Sequence, residues 1–506
     1  MTDRPSALTI VELFRNAATS HPRNEAVVDG PVRLSYAELD RRIAALAHRL
    51  RSEGVCPGDR IAVLLRDGLA MIELLLASAQ LGAILCPLNW RLAPAELRYQ
   101  VDLLKPVRSF VSSRYLDLAR QSAPDLEWIV RSDEMERIEK GATEISDTPV
   151  PARNAPLLIL FTSGTTGRPK AVVHTQESLA VGAFAYAGHR AMCHRDRTLL
   201  SAPLFHVNGL SSLLITLLTG GCLVCAPQPL ELDALIGLLV DERISVWNFH
   251  PTLTLPLIGQ AERSPLPIRL RSISMGAGMH ALKVAEAVER LFGAEISFGY
   301  GQTEAGGFAV ICDVADQRGA PDVLGRPLPQ LMARIVDAAD REVPDGTAGE
   351  LCLRGPSVMQ GYWQAPDATR DALAGGWLHT GDMCIRREGG LLHFAGRKKS
   401  LIKSGGENVY PAEVERVLRT HPAVADCCVA GVPDERWGEA VKAFVVLAYG
   451  EVATAREIAD HCRSAIAGYK RPRYVEFIDA VPRDFQHKPL RAILSARPVL
   501  AEQSTD

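Results

Sequence analysis

The chain has 506 residues, 47% of them hydrophobic and 23% charged, with a formal net charge of -3. That length exceeds one ordinary hydrophobic core and predicts at least two domains. The near-neutral balance leaves no basic surplus for a nucleic-acid partner.

Residues 1–16 carry Asp3 and Glu12 without an uninterrupted apolar core, so no signal peptide is expected. Residues 60–65 read as a buried strand, 68–81 as an amphipathic helix and 83–87 as a second strand. The rhythm returns near 157–161, 199–202, 222–226, 245–249 and 272–275, which predicts an α/β fold of parallel layers. The stretch 198–230 has no Lys, Arg, Asp or Glu, but Pro203, His206, Asn208, Gly209, Gly220 and Gly221 interrupt it. A buried strand, helix and strand is expected there, with no membrane span.

From about residue 323 Gly- and Pro-punctuated alternating strands predict a β-rich subdomain. Beyond residue 400 a helix from Pro411, strands near 425–431 and 441–447, and a helix from Thr454 predict a small α+β domain. The expected organisation is a large domain over 1–396, a hinge at 397–400 and a small mobile domain over 401–506. Eleven scattered cysteines show no disulfide framework and read as reduced, buried thiols in a cytoplasmic protein. Cys222 and Cys225 form a C-x-x-C inside an apolar run, with no second pair to make a zinc site.

The most specific signal is the apolar run from Leu157 into Thr162-Ser163-Gly164-Thr165-Thr166-Gly167-Arg168-Pro169-Lys170. Glycines let backbone N–H groups approach phosphate, the hydroxyls add donors, and Lys170 supplies a mobile charge. It is not a Walker A loop, because Pro169 precedes the lysine and Ala171 follows it.

This string resembles the signature loop of the adenylate-forming superfamily: acyl- and aryl-CoA synthetases, peptide-synthetase adenylation domains and beetle luciferases. Further segments agree in order over almost the whole chain. They are Tyr300-Gly301-Gln302-Thr303-Glu304, Thr380-Gly381-Asp382, Gly396-Arg397-Lys398-Lys399 and Ser404-Gly405-Gly406-Glu407-Asn408-Val409-Tyr410-Pro411. The resemblance implies that Thr303 contacts the α-phosphate of ATP and that Glu304 helps hold Mg2+. Tyr300 would stack on adenine against Gly276-Ala277-Gly278, with Gly301 and Gln302 in the same nucleotide-binding segment. Asp382 would take the ribose hydroxyls, Arg397 would reach the ribose, and Lys399 would be the pivot of the small domain. Lys488 would be the catalytic lysine between carboxylate and phosphate. Its loop departs from the family pattern, with His487 in place of Gly and Pro489 after the lysine. Gly405 and Gly406 would line a path for the pantetheine arm of coenzyme A, with Lys403 in the same binding set. Lys470 and Arg471 read equally as a contact for a CoA phosphate or as a solvated turn.

Phe205-His206 stands where amino-acid-activating domains carry Phe-Asp, so an uncharged aryl or short- to medium-chain acyl acid is expected. His206 reads either as a group acting on the carboxylate or as a histidine satisfied within the core. The resemblance implies Trp247, His250, Pro251, Thr252, Phe298, Gly306 and Gly307 as further neighbours of the acyl pocket, with no Arg or Lys among them. The expected activity is an AMP-forming acid–CoA ligase using ATP, Mg2+ and CoA, with a small-molecule carboxylic acid as partner and a homodimer allowed. An enzyme that loads a carrier protein and a non-catalytic nucleotide-binding protein are the alternatives.

Overall fold

The computed structural model describes residues 9–131, 151–162, 169–248, 251–276, 281–320, 322–404, 407–434, 437–483, 489–500 and 503–505. Its contacts divide the chain into two units, Met1–Ala333 with Leu353–His379, and Arg334–Cys352 with Thr380–Asp506.

The first unit contains a seven-stranded sheet in the order Gly361–Tyr362, Lys170–Thr175, Pro156–Thr162, Ile84–Pro87, Arg60–Leu64, Arg108–Ser112, Ile129–Arg131. Its last five members are parallel, and the first two join antiparallel at one edge. A second sheet places Glu25–Asp29, Cys222–Cys225, Arg197–Leu200, Val246–Asn248, Ser272–Gly276 and Glu295–Gln302 side by side in parallel. Parallel strands covered on both faces read as unbroken apolar runs, and Ile61 to Leu64 are all fully buried.

The helix Leu69–Leu81 corrects the expectation of an amphipathic segment. Leu69 and every residue from Met71 to Leu81 are buried, as befits a helix covered on all sides. Its one charge, Glu73, is held by Arg42 and by Arg131, the latter at 2.6 Å. By contrast Tyr36–Ser52 is amphipathic. Ser35 and Glu38 close a capping box at its start, and Leu39, Ile43, Leu46 and Leu50 form its buried stripe. The uncharged stretch near 198–230 folds as strand Arg197–Leu200, helix Val207–Leu217 and strand Cys222–Cys225. No helix among the described residues is long and apolar enough to cross a membrane.

The strands Met332–Val336, Ala348–Arg354, Leu378–Arg386 and Leu392–Arg397, most of whose residues belong to the second unit, lie in that order. A five-stranded sheet follows, centred on the antiparallel pair Val424–Asp434 and Gly438–Leu447. The helices Pro411–Leu418 and Ala455–Ala465 bury Val414, Leu418, Ile458 and Cys462 against it. Thr454 and Glu457 cap the second helix reciprocally, an arrangement that contributes about 1 kcal/mol. Residues 334–352 and 380–396, expected with the large domain, contact this unit, where Gly396 lies against the Tyr410 ring.

Candidate active site

Thr162 ends one strand of the first unit and Lys170 begins the next, and the two face each other across an antiparallel pair. Ser163, Gly164, Thr165, Thr166 and Gly167, between them, lie outside the described residues. Both posts of the loop are half-buried.

Four residues into the second strand, the ring of His174 lies with Nε2 2.7 Å from the Thr303 carbonyl oxygen and Nδ1 3.1 Å from Ser178 Oγ. Burial pushes this imidazole down to about 4, so it is neutral near pH 7. A carbonyl oxygen only accepts, which assigns the ring proton to Nε2. Thr303, Glu304 and Ala305 form a 3-10 turn directly above that bond. The short strand Gly361–Tyr362 ties the turn from the other side. Tyr362 and Gly361 pair with Val172 and Val173, and the Met359 N–H donates to the Glu304 carbonyl at 2.8 Å.

The Tyr362 hydroxyl donates to Glu304 Oε1 at 3.0 Å, and Lys170 Nζ lies 4.4 Å from the centre of the same ring. Burial, reinforced by the Glu304 carboxylate, raises the Tyr362 hydroxyl well above its ordinary range and keeps it a donor. Glu304 is half-buried with a hard oxygen to offer. One carboxylate beside substrate phosphates is the ligand set Mg2+ usually takes, so the residues present fit that ion.

Tyr300 faces Val310, and Gly276 faces Gly299. A Cβ on Gly276 would meet nothing within 4 Å among the described residues. Ala277 and Gly278 lie outside the described residues. Gly301 has no such freedom: a Cβ there would overlap the Gly307 carbonyl oxygen, so the turn closes only around glycine. Gln302 pairs with Gly307 at the end of the same hairpin.

The acyl-side segment is anchored from below, where the Leu204 N–H donates to Asp67 Oδ1 at 2.6 Å. Asp67 also accepts from the Gln228 amide, and burial pushes its carboxyl up to about 6. Phe205 is buried edge-on to Trp90 at 6.0 Å, and Trp90 stacks on Tyr115 at 5.5 Å. His206 takes the N-cap position of the helix Val207–Leu217, its ring 4.7 Å from that of Phe205.

Trp247 is fully buried and donates from Nε1 to Ser201 Oγ at 2.8 Å. Phe298 is fully buried as well. A Cβ on Gly307 would come within 2.9 Å of Ser211 Oγ, whereas one on Gly306 would overlap the Ser357 carbonyl oxygen. His250 and the side chains of Pro251 and Thr252 are outside the description.

The neighbourhood holds a cation the sequence did not reveal. Buried Arg190 donates to Ser272 Oγ, Asn248 Oδ1, Tyr186 OH, and the Trp247 and Ser272 carbonyls. All five of its N–H groups are engaged by neutral acceptors, so it offers no free donor to a second substrate anion.

In the second unit Asp382 and Arg397 face each other across an antiparallel pair, with Arg397 Nε 3.1 Å from Asp382 Oδ1. Below them, buried Glu350 accepts from the Gly381 N–H at 3.0 Å and from Lys398 Nζ at 2.7 Å. Lys399 is exposed in the 3-10 turn Lys398–Ser400. Lys403 lies on the strand Ile402–Ser404, its backbone paired with Asn408. Gly405 and Gly406 lie outside the described residues. So do His487 and Lys488, while Arg483 and Pro489 form an isolated bridge with each other. Lys470 is taken up by both carboxylate oxygens of Glu413, at 2.7 and 2.8 Å.

Tyr362, His174, Asp67, Glu350 and Arg190 were not legible as site residues in the sequence. None sits in a chemistry-bearing string, and each is identified by what it touches.

Residues 14–363 match the family model described as AMP-binding enzyme, and residues 413–488 match the AMP-binding enzyme C-terminal domain. A feruloyl-CoA synthase of Amycolatopsis is 34% identical over 484 residues, covering 95% of this chain and 97% of the relative. A fatty acid–[acyl-carrier-protein] ligase of Streptomyces coeruleorubidus is 33% identical over 509 residues, covering 97% of each. Among solved structures, the o-succinylbenzoate CoA synthetase of Bacillus subtilis in complex with its acyl-adenylate superposes with a TM-score of 0.83. That match has 28% identity and covers 99% of both chains.

Proposed function

The chain belongs to the AMP-binding enzyme family, in its acyl- and aryl-CoA synthetase branch, and from that premise we propose its substrate class and the work of its residues. The reaction is an ATP-dependent acid–thiol ligation through an acyl-adenylate. The carboxylate attacks the α-phosphate, pyrophosphate leaves, and the CoA sulfur then displaces AMP at the acyl carbonyl. The acid is an uncharged aryl or short- to medium-chain acyl carboxylate. Aromatic Phe205 and Trp247, and an Arg190 with every donor engaged, support that choice.

In this reading Lys170 and the Thr303 hydroxyl meet the phosphates, and Glu304 supplies the carboxylate for Mg2+, which offsets phosphate charge when bound. Asp382 and Arg397 take the ribose. Lys488 bridges carboxylate and phosphate, and rotation about Lys399 readies the second step. The observation that carries the reading is the meeting of Lys170 and Glu304 at one side chain, Tyr362. A cytoplasmic setting is supported by eleven cysteines, all free thiols.

The test is AMP release with Mg-ATP across aryl and aliphatic acids, each with and without CoA. Release that requires one acid class and CoA is expected. A second reading, transfer to a carrier protein, is favoured by the likeness to the fatty acid–[acyl-carrier-protein] ligase of Streptomyces coeruleorubidus. It predicts adenylate trapped by hydroxylamine with no turnover on free CoA.

A further inference from the structure

We infer that Tyr362 is a positioning residue that keeps Lys170 and Glu304 apart and aimed, so that the ammonium stays available to phosphate and the carboxylate to a divalent cation. The inference rests on the reading of Lys170 and Glu304 given above. An ammonium and a carboxylate at the same end of a site pair directly unless something intervenes. Here no ion pair joins Lys170 to Glu304 among the described residues, and each engages a different part of one phenol. Lys170 Nζ lies 4.4 Å from the ring centre, and Glu304 Oε1 accepts from the hydroxyl at 3.0 Å. The ring face offers the cation a soft, non-quenching partner. The hydroxyl occupies one carboxylate oxygen and orients the other.

The backbone makes the device rigid. Tyr362 is locked opposite Val172, two residues after Lys170, and its N–H donates to Thr369 Oγ1 at 2.8 Å. Three residues earlier the Met359 N–H holds the Glu304 carbonyl. The strand carrying the tyrosine therefore fixes both partners, and the hydroxyl itself stays protonated. Lys170 and Glu304 are the charged groups facing it.

The test measures how much Mg2+ strengthens binding of a non-hydrolysable ATP analogue, by calorimetry on the full chain, for wild type, Tyr362→Phe, Tyr362→Leu and Glu304→Gln. Tyr362→Phe removes the hydroxyl and leaves the ring. It is expected to cut the Mg2+-dependent gain in affinity about tenfold while leaving Mg2+-free affinity unchanged. Tyr362→Leu is expected to weaken Mg2+-free binding as well, because Lys170 loses the ring face and collapses onto Glu304. An unchanged Mg2+ gain in Tyr362→Phe, with the gain reduced in Glu304→Gln, overturns the inference and leaves the Glu304 reading standing. An unchanged gain in Glu304→Gln overturns both. Equal loss of affinity with and without Mg2+ in Tyr362→Phe, accompanied by a lower Tm, marks a residue that only holds the fold and also overturns it.

Discussion

Arg397 Nε stands 3.1 Å from Asp382 Oδ1 across paired strands, and the two side chains differ sharply in exposure, 55% against 6%. The carboxylate is the buried member and the guanidinium the exposed one. Asp382→Asn keeps the shape but replaces an acceptor with a donor facing Arg397. If the carboxylate takes the ribose hydroxyls, this substitution loses a charged hydrogen bond worth about 1.5–3 kcal/mol and raises the KM for ATP roughly ten- to hundredfold. Arg397→Lys is expected to do less, since it removes the planar fork and keeps the charge. Initial rates of AMP release against ATP concentration check both, and an unchanged KM in Asp382→Asn removes Asp382 from the ribose site.

His174 gives the fold a defined response to acid. Its folded-state value of about 4 lies below the ordinary 6.5. Between those pH values the unfolded chain binds the proton and the folded chain does not. Its contribution is therefore present above pH 6.5 and is lost as pH falls towards 4, at a total of about 3 kcal/mol. Urea midpoints at pH 7.5 and pH 5 should show a larger fall for the wild type than for His174→Gln. Equal falls would mean that the ring takes its proton without opening the bond to the Thr303 carbonyl.

Glu73 makes a harsher prediction. Its carboxylate is 3% exposed and serves Arg42 and Arg131, which are 11% and 10% exposed. Glu73→Gln leaves two desolvated guanidinium groups without their counter-charge, for an expected loss of about 3–5 kcal/mol. Replacing all three residues with apolar groups should recover much of that loss. Equilibrium unfolding of the single and triple variants separates the two effects, and a mild single variant would mean that water reaches the arginines.

Local strings carried much of the layout. Thr162 faces Lys170, Thr303 and Glu304 share one turn, and Asp382 pairs with Arg397, and each of these residues belongs to a motif visible in the sequence. Helix starts at Pro411 and Thr454 were legible because capping is a local code. What escaped was long-range. The helix Leu69–Leu81 carries Glu73, Ser78 and Gln80 in a pattern that mimics a polar face, but its cover comes from distant segments. Tyr362 reaches Glu304 across 58 residues of chain, and Asp67 reaches Leu204 across 137. No spacing rule reports contacts at such separations. Arg190 is enclosed by Ser272 and Asn248, 82 and 58 residues further along the chain.

Asp67 is expected to oppose His174. Its folded value of about 6 lies above the ordinary carboxylate value, so the folded chain holds the proton more tightly between pH 4 and 6. Its stabilising contribution is present at low pH and is lost as pH rises through 6. Relative to Asp67→Asn, the wild type should lose up to about 3 kcal/mol of stability between pH 4 and pH 7. The amide can still accept from the Leu204 N–H, and a flipped Gln228 can present its carbonyl oxygen, which has no partner among the described residues. The fold should therefore tolerate the change. Denaturant titrations of both proteins across that range test it. A difference that does not vary with pH would show that Asp67 stays ionised throughout, its charge held by the Arg66 and Arg91 guanidinium groups that already lower its value.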